Sequence, residues 1–206
     1  MTLDPNTQNR NAYDQIVENY AKRNIKMVPY VLEAAERMLH AMQTSPDLPQ
    51  QILDLGCGTG RDMRWFEPQG ITMAGADLSG GMLREAKQHV QGTLLQADML
   101  DLPYRAACFG GVWCQAALLH LPKAKTPLAL AEMYRVLVPG GWLYVAVQLG
   151  KTEGFETRTY EPVERYYAHY QKDELSGLVN QAGFDVKQTG EGVERRQWIW
   201  VRAQKY

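Results

Sequence analysis

Gly56-Cys57-Gly58-Thr59-Gly60, entered from the apolar run Ile52-Leu53-Asp54-Leu55, is the segment whose residue types and spacing say most about chemistry. Glycines directly after a buried strand let a ligand lie against the backbone. In an open α/β sheet ligands bind beyond the carboxyl ends of the strands, where such a loop would sit. Spacing narrows the ligand. A dinucleotide loop needs G-x-G-x-x-G, yet counted from Gly56 the third glycine falls on Arg61, and counted from Gly58 it falls on Met63. The Gly-Lys-Ser/Thr of a phosphate-binding loop is absent as well. Instead Asp77 ends Met73-Ala74-Gly75-Ala76, and Asp98 ends Leu94-Leu95-Gln96-Ala97. Carboxylates at neighbouring strand ends suit ribose hydroxyls and an adenine amine, and would repel a phosphate.

Two histidines could move a proton: His120, in Leu118-Leu119-His120-Leu121-Pro122, and His169. The three cysteines, Cys57, Cys108 and Cys114, are irregularly spaced, with no C-x-x-C pair. They indicate neither a disulfide framework nor a metal site, and Cys57 is read as packing rather than as a nucleophile.

The elements that must position these groups alternate. Tyr13, Ile16, Val17 and Tyr20 stand at helical spacing, as do Val28, Val31, Leu32 and Ala35, continued by Leu39 and Met42; these predict two amphipathic helices before residue 45. After Pro46 and Pro49, strands are predicted at Gln51–Leu55, Ile71–Asp77, Thr93–Ala97, Gly111–Gln115, Trp142–Gln148, Phe184–Thr189 and Gln197–Ala203. Helices are predicted between most of them, clearest at Pro127–Val138, capped by Thr126 and stopped by Pro139-Gly140-Gly141, and at Lys172–Ala182. Strands joined through helices pair in parallel with right-handed crossovers. Gly190–Arg196 is too short for a helical crossover, so the last strand should run antiparallel. The expectation is α/β: a doubly wound, mostly parallel seven-stranded sheet with an antiparallel last strand, in one domain over 1–206. Residues 1–45 would form a helical cover, 46–206 the core, and 151–171 a long loop on the substrate side.

With 206 residues, 45% hydrophobic and 22% charged, the chain can build a full core. A formal charge of -1 gathers no polyanion, and Lys187, Arg195, Arg196, Arg202 and Lys205 form only a modest basic cluster, so no nucleic-acid partner is expected. No stretch has a signal peptide's apolar core or membrane-spanning length; no membrane partner and a cytoplasmic location are expected, as monomer or homodimer.

Five blocks in order, Ile52–Asp62, Ala76–Leu83, Gln96–Pro103, Phe109–Pro122 and Arg135–Val147, resemble the class I S-adenosylmethionine-dependent methyltransferases. Within that family the chain looks like the small-molecule, quinone-methyltransferase-like members. The resemblance implies S-adenosyl-L-methionine as cofactor, S-adenosyl-L-homocysteine as product, and transfer of the methyl to a small-molecule oxygen or nitrogen. An RNA base as acceptor, and a non-catalytic cofactor-binding module, are the alternatives. The family pattern places the methionine end of the cofactor against Asp54 and the Gly56, Cys57, Gly58 and Gly60 backbone, and its ribose on Asp77. Leu78 and Met82 would flank the adenine, with Asp98 and the Met99 amide on its edge; Gln115 would line the transfer pocket. Tyr13 and Tyr20 would close over the cofactor, and an aromatic acceptor pocket would use Arg158, Tyr160, Arg165, Tyr166 and Tyr167. The chain departs from the pattern at Ser79-Gly80-Gly81, predicting a loose helix start, and at Gly110, where aspartate is common.

Overall fold

Side-chain alternation on each central strand divides the core between two sheet faces. The computed structural model describes residues 4–158 and 161–206. On β1 (Gln51–Leu55), Leu53 and Leu55 point to one face and Ile52 to the other. β4 (Phe109–Gln115) sends Val112 and Cys114 one way and Trp113 the opposite way. β5 (Leu137–Gln148) does the same with Leu143, Val145 and Val147 against Tyr144 and Ala146. Both faces being apolar, both must be covered by helices.

With β2 (Thr72–Asp77), β3 (Thr93–Gln96), β8 (Phe184–Val193) and β9 (Gln197–Lys205), the sheet order is β3-β2-β1-β4-β5-β9-β8. β1 to β5 pair in parallel, and β9 runs antiparallel to β5 and β8. This is the expected seven-stranded sheet. The order reverses between β1 and β4, so their carboxyl ends open a crevice there. On one face lie α2 (Pro29–Gln43) and α3 (Arg61–Phe66), burying Met38, Met42, Met63 and Phe66. On the other are α5 (Thr126–Val136) and α6 (Lys172–Gln181), burying Leu130, Met133, Leu175 and Val179. Each such side chain contributes about 1.5–3 kcal/mol.

α1 (Pro5–Arg23) is different. Asp4 caps it by accepting from the Asn6 and Thr7 amides, and Asn9, Ala12 and Ile16 are its buried residues. It lies across α4 (Gly80–Ala86) and β7 (Glu161–Ala168) rather than on the sheet. The two N-terminal helices therefore do not share one role: α1 is a cover, whereas α2 belongs to the core.

Four sequence expectations are corrected. Lys151–Gln171 is not a loop but an antiparallel hairpin, β6 (Glu153–Arg158) with β7, fixed by Tyr166, Tyr167 and Tyr170 packed into the core. α5 stops at Val136, before the glycines, because Leu137 is already extended and pairs with Phe109. Thr126 is the first residue of α5 and not its cap; its hydroxyl meets the Tyr170 hydroxyl at 2.7 Å. The start of α4 is tight rather than loose. Ser79 caps it by accepting from the Met82 amide, while Asp14 of α1 accepts from the Ser79 hydroxyl (2.6 Å) and the Gly81 amide (2.8 Å). A Cβ on Gly81 would stand 2.7 Å from that carboxylate and 2.9 Å from Val17, so the glycine admits α1. Gly110 has a similar cause: a Cβ there would lie 2.1 Å from the Pro49 carbonyl oxygen.

Gly110→Ala should therefore lose about 2–3 kcal/mol in chemical denaturation from overpacking. Gly177→Ala, inside α6 with nothing within 4 Å of the added methyl, should gain about 1 kcal/mol. Equal effects from the two would refute the packing argument.

Candidate active site

The glycine loop opens on the crevice because its backbone turns back on β2. Gly56 and Cys57 donate to the Ala76 carbonyl at 2.7 and 3.1 Å. Gly56 has φ +77°, and a Cβ on it would lie 2.2 Å from that of Ala117, so only glycine fits. Asp77, at the end of β2, then accepts from the Gly58 amide and the Ser79 amide, both at 2.8 Å. Burial raises its carboxyl above the ordinary range, and these two N–H groups oppose the shift.

A cleft of about 760 Å³, open water included, runs from the loop along the ends of β2 and β3. Gly56, Gly58, Asp77, Leu78, Met82, Asp98 and Met99 line it, as do Tyr13, Tyr20, Gln115 and His120. A second cleft continues past the end of β4 beneath the hairpin, with Arg158, Arg165, Tyr167 and Trp198 in its wall. The two share Tyr13, Tyr20, Gln115, Ala116 and His120. They are halves of one crevice. At the junction Ala116 holds φ +59°, a left-handed conformation costing about 1–2 kcal/mol, fixed by its amide on the Ala146 carbonyl (3.1 Å). Gln115 is braced by the Tyr30 hydroxyl (3.3 Å) and the Tyr144 hydroxyl (3.1 Å).

His120 is held from both sides. Its Nδ1 lies 2.9 Å from the Tyr166 carbonyl oxygen, which can only accept, so Nδ1 carries the proton. Nε2 then accepts from the Tyr13 hydroxyl at 2.7 Å. Burial pushes the imidazole down to about 3, keeping it neutral. Asn9 locks the arrangement: its amide donates to the His120 carbonyl (3.0 Å), and its Oδ1 accepts from the Tyr166 amide (2.7 Å).

Other predicted site residues lie elsewhere. Asp54 lines neither cleft; it is buried beside Asp62, and burial together with that charge pushes its carboxyl well up. Cys57 is a buried thiol pushed up by burial, and Gly60 starts α3 against Val90. His169 belongs to the base of the hairpin, its Nδ1 3.2 Å from the Thr152 carbonyl, so the structure does not bring it to the crevice as a base. Tyr166 contributes its backbone, while its hydroxyl donates to Glu153 at 2.8 Å. Tyr160 lies outside the described residues. Sequence reading passed over Asn6, whose amide reaches Asp98 Oδ2 at 2.8 Å, as well as Asn9 and Asp14. Asn6, Asn9 and Tyr13 recur every three to four residues, a signal visible in principle as a polar stripe on one helix face.

A methyltransferase-domain family model matches residues 53–145, spanning all of β1 to β4 except the first residues of β1. An uncharacterized methyltransferase of Synechocystis sp. is 30% identical over 146 residues, covering 66% of this chain and 68% of that one. This chain belongs to the S-adenosylmethionine-dependent methyltransferase family. The family's demethylmenaquinone methyltransferase from Symbiobacterium thermophilum is 35% identical over 143 residues, 64% of this chain and 55% of that one. The chain spans about half the length of several such curated relatives. Among solved structures, magnesium protoporphyrin IX methyltransferase from Synechocystis, crystallised with S-adenosylhomocysteine, has the same fold (TM-score 0.75, 17% identity, 98% of this chain and 100% of that one).

A histidine kept neutral by burial makes the fold acid-sensitive. The unfolded chain takes up a proton below about pH 6.5 that folded His120 refuses until about 3, so stability present above 6.5 is lost across that window. His120→Gln should flatten the pH dependence of unfolding between 6.5 and 4 by about 1 kcal/mol per pH unit. Parallel profiles for variant and parent would contradict it.

Proposed function

We propose that the chain transfers a methyl group from S-adenosylmethionine to an oxygen or nitrogen of a small molecule. The observation that carries this is the continuity of the two clefts at Tyr13, Gln115 and His120, with the Asp77 carboxylate on the cofactor side. The residues fit the cofactor. Asp77 keeps a second lone pair on each oxygen after binding Gly58 and Ser79, suited to ribose hydroxyls. The Gly56 and Gly58 backbone forms a cradle that a side chain would fill, and Leu78 and Met82 offer apolar surface for the adenine. Asp98 stands at the edge where the adenine amine would lie. Relatives named for a demethylated quinone support a small acceptor.

The bound cofactor supplies an electrophilic methyl carbon on a sulfonium. The cofactor, held by Asp77 and the Gly56 and Gly58 backbone, would supply the methyl as an electrophile and leave as a neutral thioether, while the acceptor would give up its proton. Tyr13 and Tyr20 hold the junction, so alignment and exclusion of water provide much of the acceleration. Neutral His120, its Nε2 accepting from the Tyr13 hydroxyl, orients that hydroxyl at the junction, where it positions the acceptor atom rather than removing its proton.

Asp77→Ala should weaken calorimetric binding of S-adenosylhomocysteine by about a hundredfold, two buried polar contacts being lost; unchanged binding would remove Asp77 from the site. Tyr13→Phe should lower kcat by about tenfold on any acceptor found by S-adenosylhomocysteine release, with the shape of the pH profile unchanged and cofactor affinity kept within a few-fold. Cofactor binding with no turnover on phenol, amine, carboxylate or thiol panels would instead favour a binding module.

A further inference from the structure

The carboxylate at the end of β3 has a partner in the roof. The Asn6 side-chain amide of α1 donates to Asp98 Oδ2 at 2.8 Å, across 92 positions of sequence, while Asp98 Oδ1 accepts from the Leu100 amide at 3.0 Å. An ionised carboxylate can only accept, so Asn6 must face it with Nδ2, and Asn6 Oδ1 stands on the other branch of the side chain. Among the described residues no group donates to that Oδ1. Asp98 Oδ2 also keeps a second lone pair.

Asn6 lines the cofactor cleft together with Asn9 and Arg10 of the same helix, and with Leu78, Met82, Asp98 and Met99 from the sheet side. Its place along α1 is fixed on both sides. Asp4 accepts from the Asn6 backbone amide at 3.2 Å, and Asn9, three residues on, is bound to the His120 carbonyl and to the Tyr166 amide. Two acceptor oxygens, one from the roof and one from β3, therefore meet at one end of the cleft. An adenine amine has two N–H bonds in the plane of its ring, and a single acceptor atom answers only one of them.

We propose that Asn6 reads the adenine amine jointly with Asp98, Asn6 Oδ1 accepting one N–H and Asp98 Oδ2 the other, so that the cover helix forms part of the cofactor's specificity site. This rests on the adenine edge lying at Asp98, as proposed above. The pair selects against a 6-oxo purine, whose oxygen would meet two acceptors and leave both unpaired. Asn6 cannot turn Nδ2 toward such an oxygen, because Oδ1 would then face the Asp98 carboxylate.

The test is calorimetry on the full chain with three ligands: S-adenosylhomocysteine, its 6-deamino analogue carrying hydrogen in place of the amine, and S-inosylhomocysteine. The parent should bind S-adenosylhomocysteine at least a hundredfold more tightly than either analogue. Asn6→Ala should cut that preference about tenfold, and Asn6→Ser, too short to reach the amine, should do the same. A general loosening of α1 would weaken all three ligands alike and leave the ratios untouched, which separates reading the amine from tethering the helix. Unchanged ratios in both variants would make Asn6 a tether alone, and tighter S-adenosylhomocysteine binding in Asn6→Ala would make it a competitor for Asp98; either result overturns the proposal. Asp98→Ala tests the reading beneath it. If that variant keeps the full preference for the amine, the adenine edge does not lie at Asp98 and both readings fall, whereas a loss in Asp98→Ala with unchanged ratios in Asn6→Ala removes Asn6 only.

Discussion

One carboxylate at the end of β2 organises everything around it. Asp77 takes the Gly58 amide on one oxygen and the Ser79 amide on the other, joining the glycine loop to the first turn of α4. Ser79 then caps α4 and donates to Asp14, which brings α1 down over the crevice. α1 in turn carries Asn9 and Tyr13 to His120 and the hairpin. The roof of the site is thus tied to its floor through hydrogen bonds that begin at a single buried acid.

That dependence explains why polar residues dominate a helix that is largely a cover. α1 has few apolar side chains to bury, so its position is set by directed hydrogen bonds, each worth about 1 kcal/mol, rather than by the larger hydrophobic contribution that holds α2. The same economy appears at His120. Its orientation depends on one carbonyl and one hydroxyl, and burial supplies the neutral state that lets it accept from Tyr13.

The sheet was legible because its strands obey two rules at once: apolar on both faces in the middle, and punctuated by Gly, Pro or Asp at the carboxyl ends. Asp77 and Asp98 could be placed at strand ends on that basis alone, and the parallel pairing with an antiparallel last strand followed from the connections. The hairpin was not legible, since β6 reads Glu-Gly-Phe-Glu-Thr-Arg and offers a single large apolar residue; its stability comes from Tyr166, Tyr167 and Tyr170 packing against distant parts of the chain. Asp54 shows a related difference between residue type and placement. A strand-end carboxylate next to a glycine loop resembles a ligand contact, but the alternation of β1 turns it into the interior beside Asp62. At Gly81 and Gly110 the residue type was visible and its cause was not, because the atoms that exclude a side chain belong to segments 64 and 61 positions earlier, Val17 and Pro49.

The tether made by Asn9 also orders events in time. Its partners are residues 111 and 157 positions later in the chain, so during synthesis α1 emerges long before anything it can bind exists. Closing so large a loop costs more chain entropy than pairing the neighbouring strands of the hairpin does. The helix is made before the residues that hold it. It contributes none of the buried residues of the two hydrophobic clusters, so the roof of the crevice is held by directed polar bonds while the sheet beneath it is held by apolar packing.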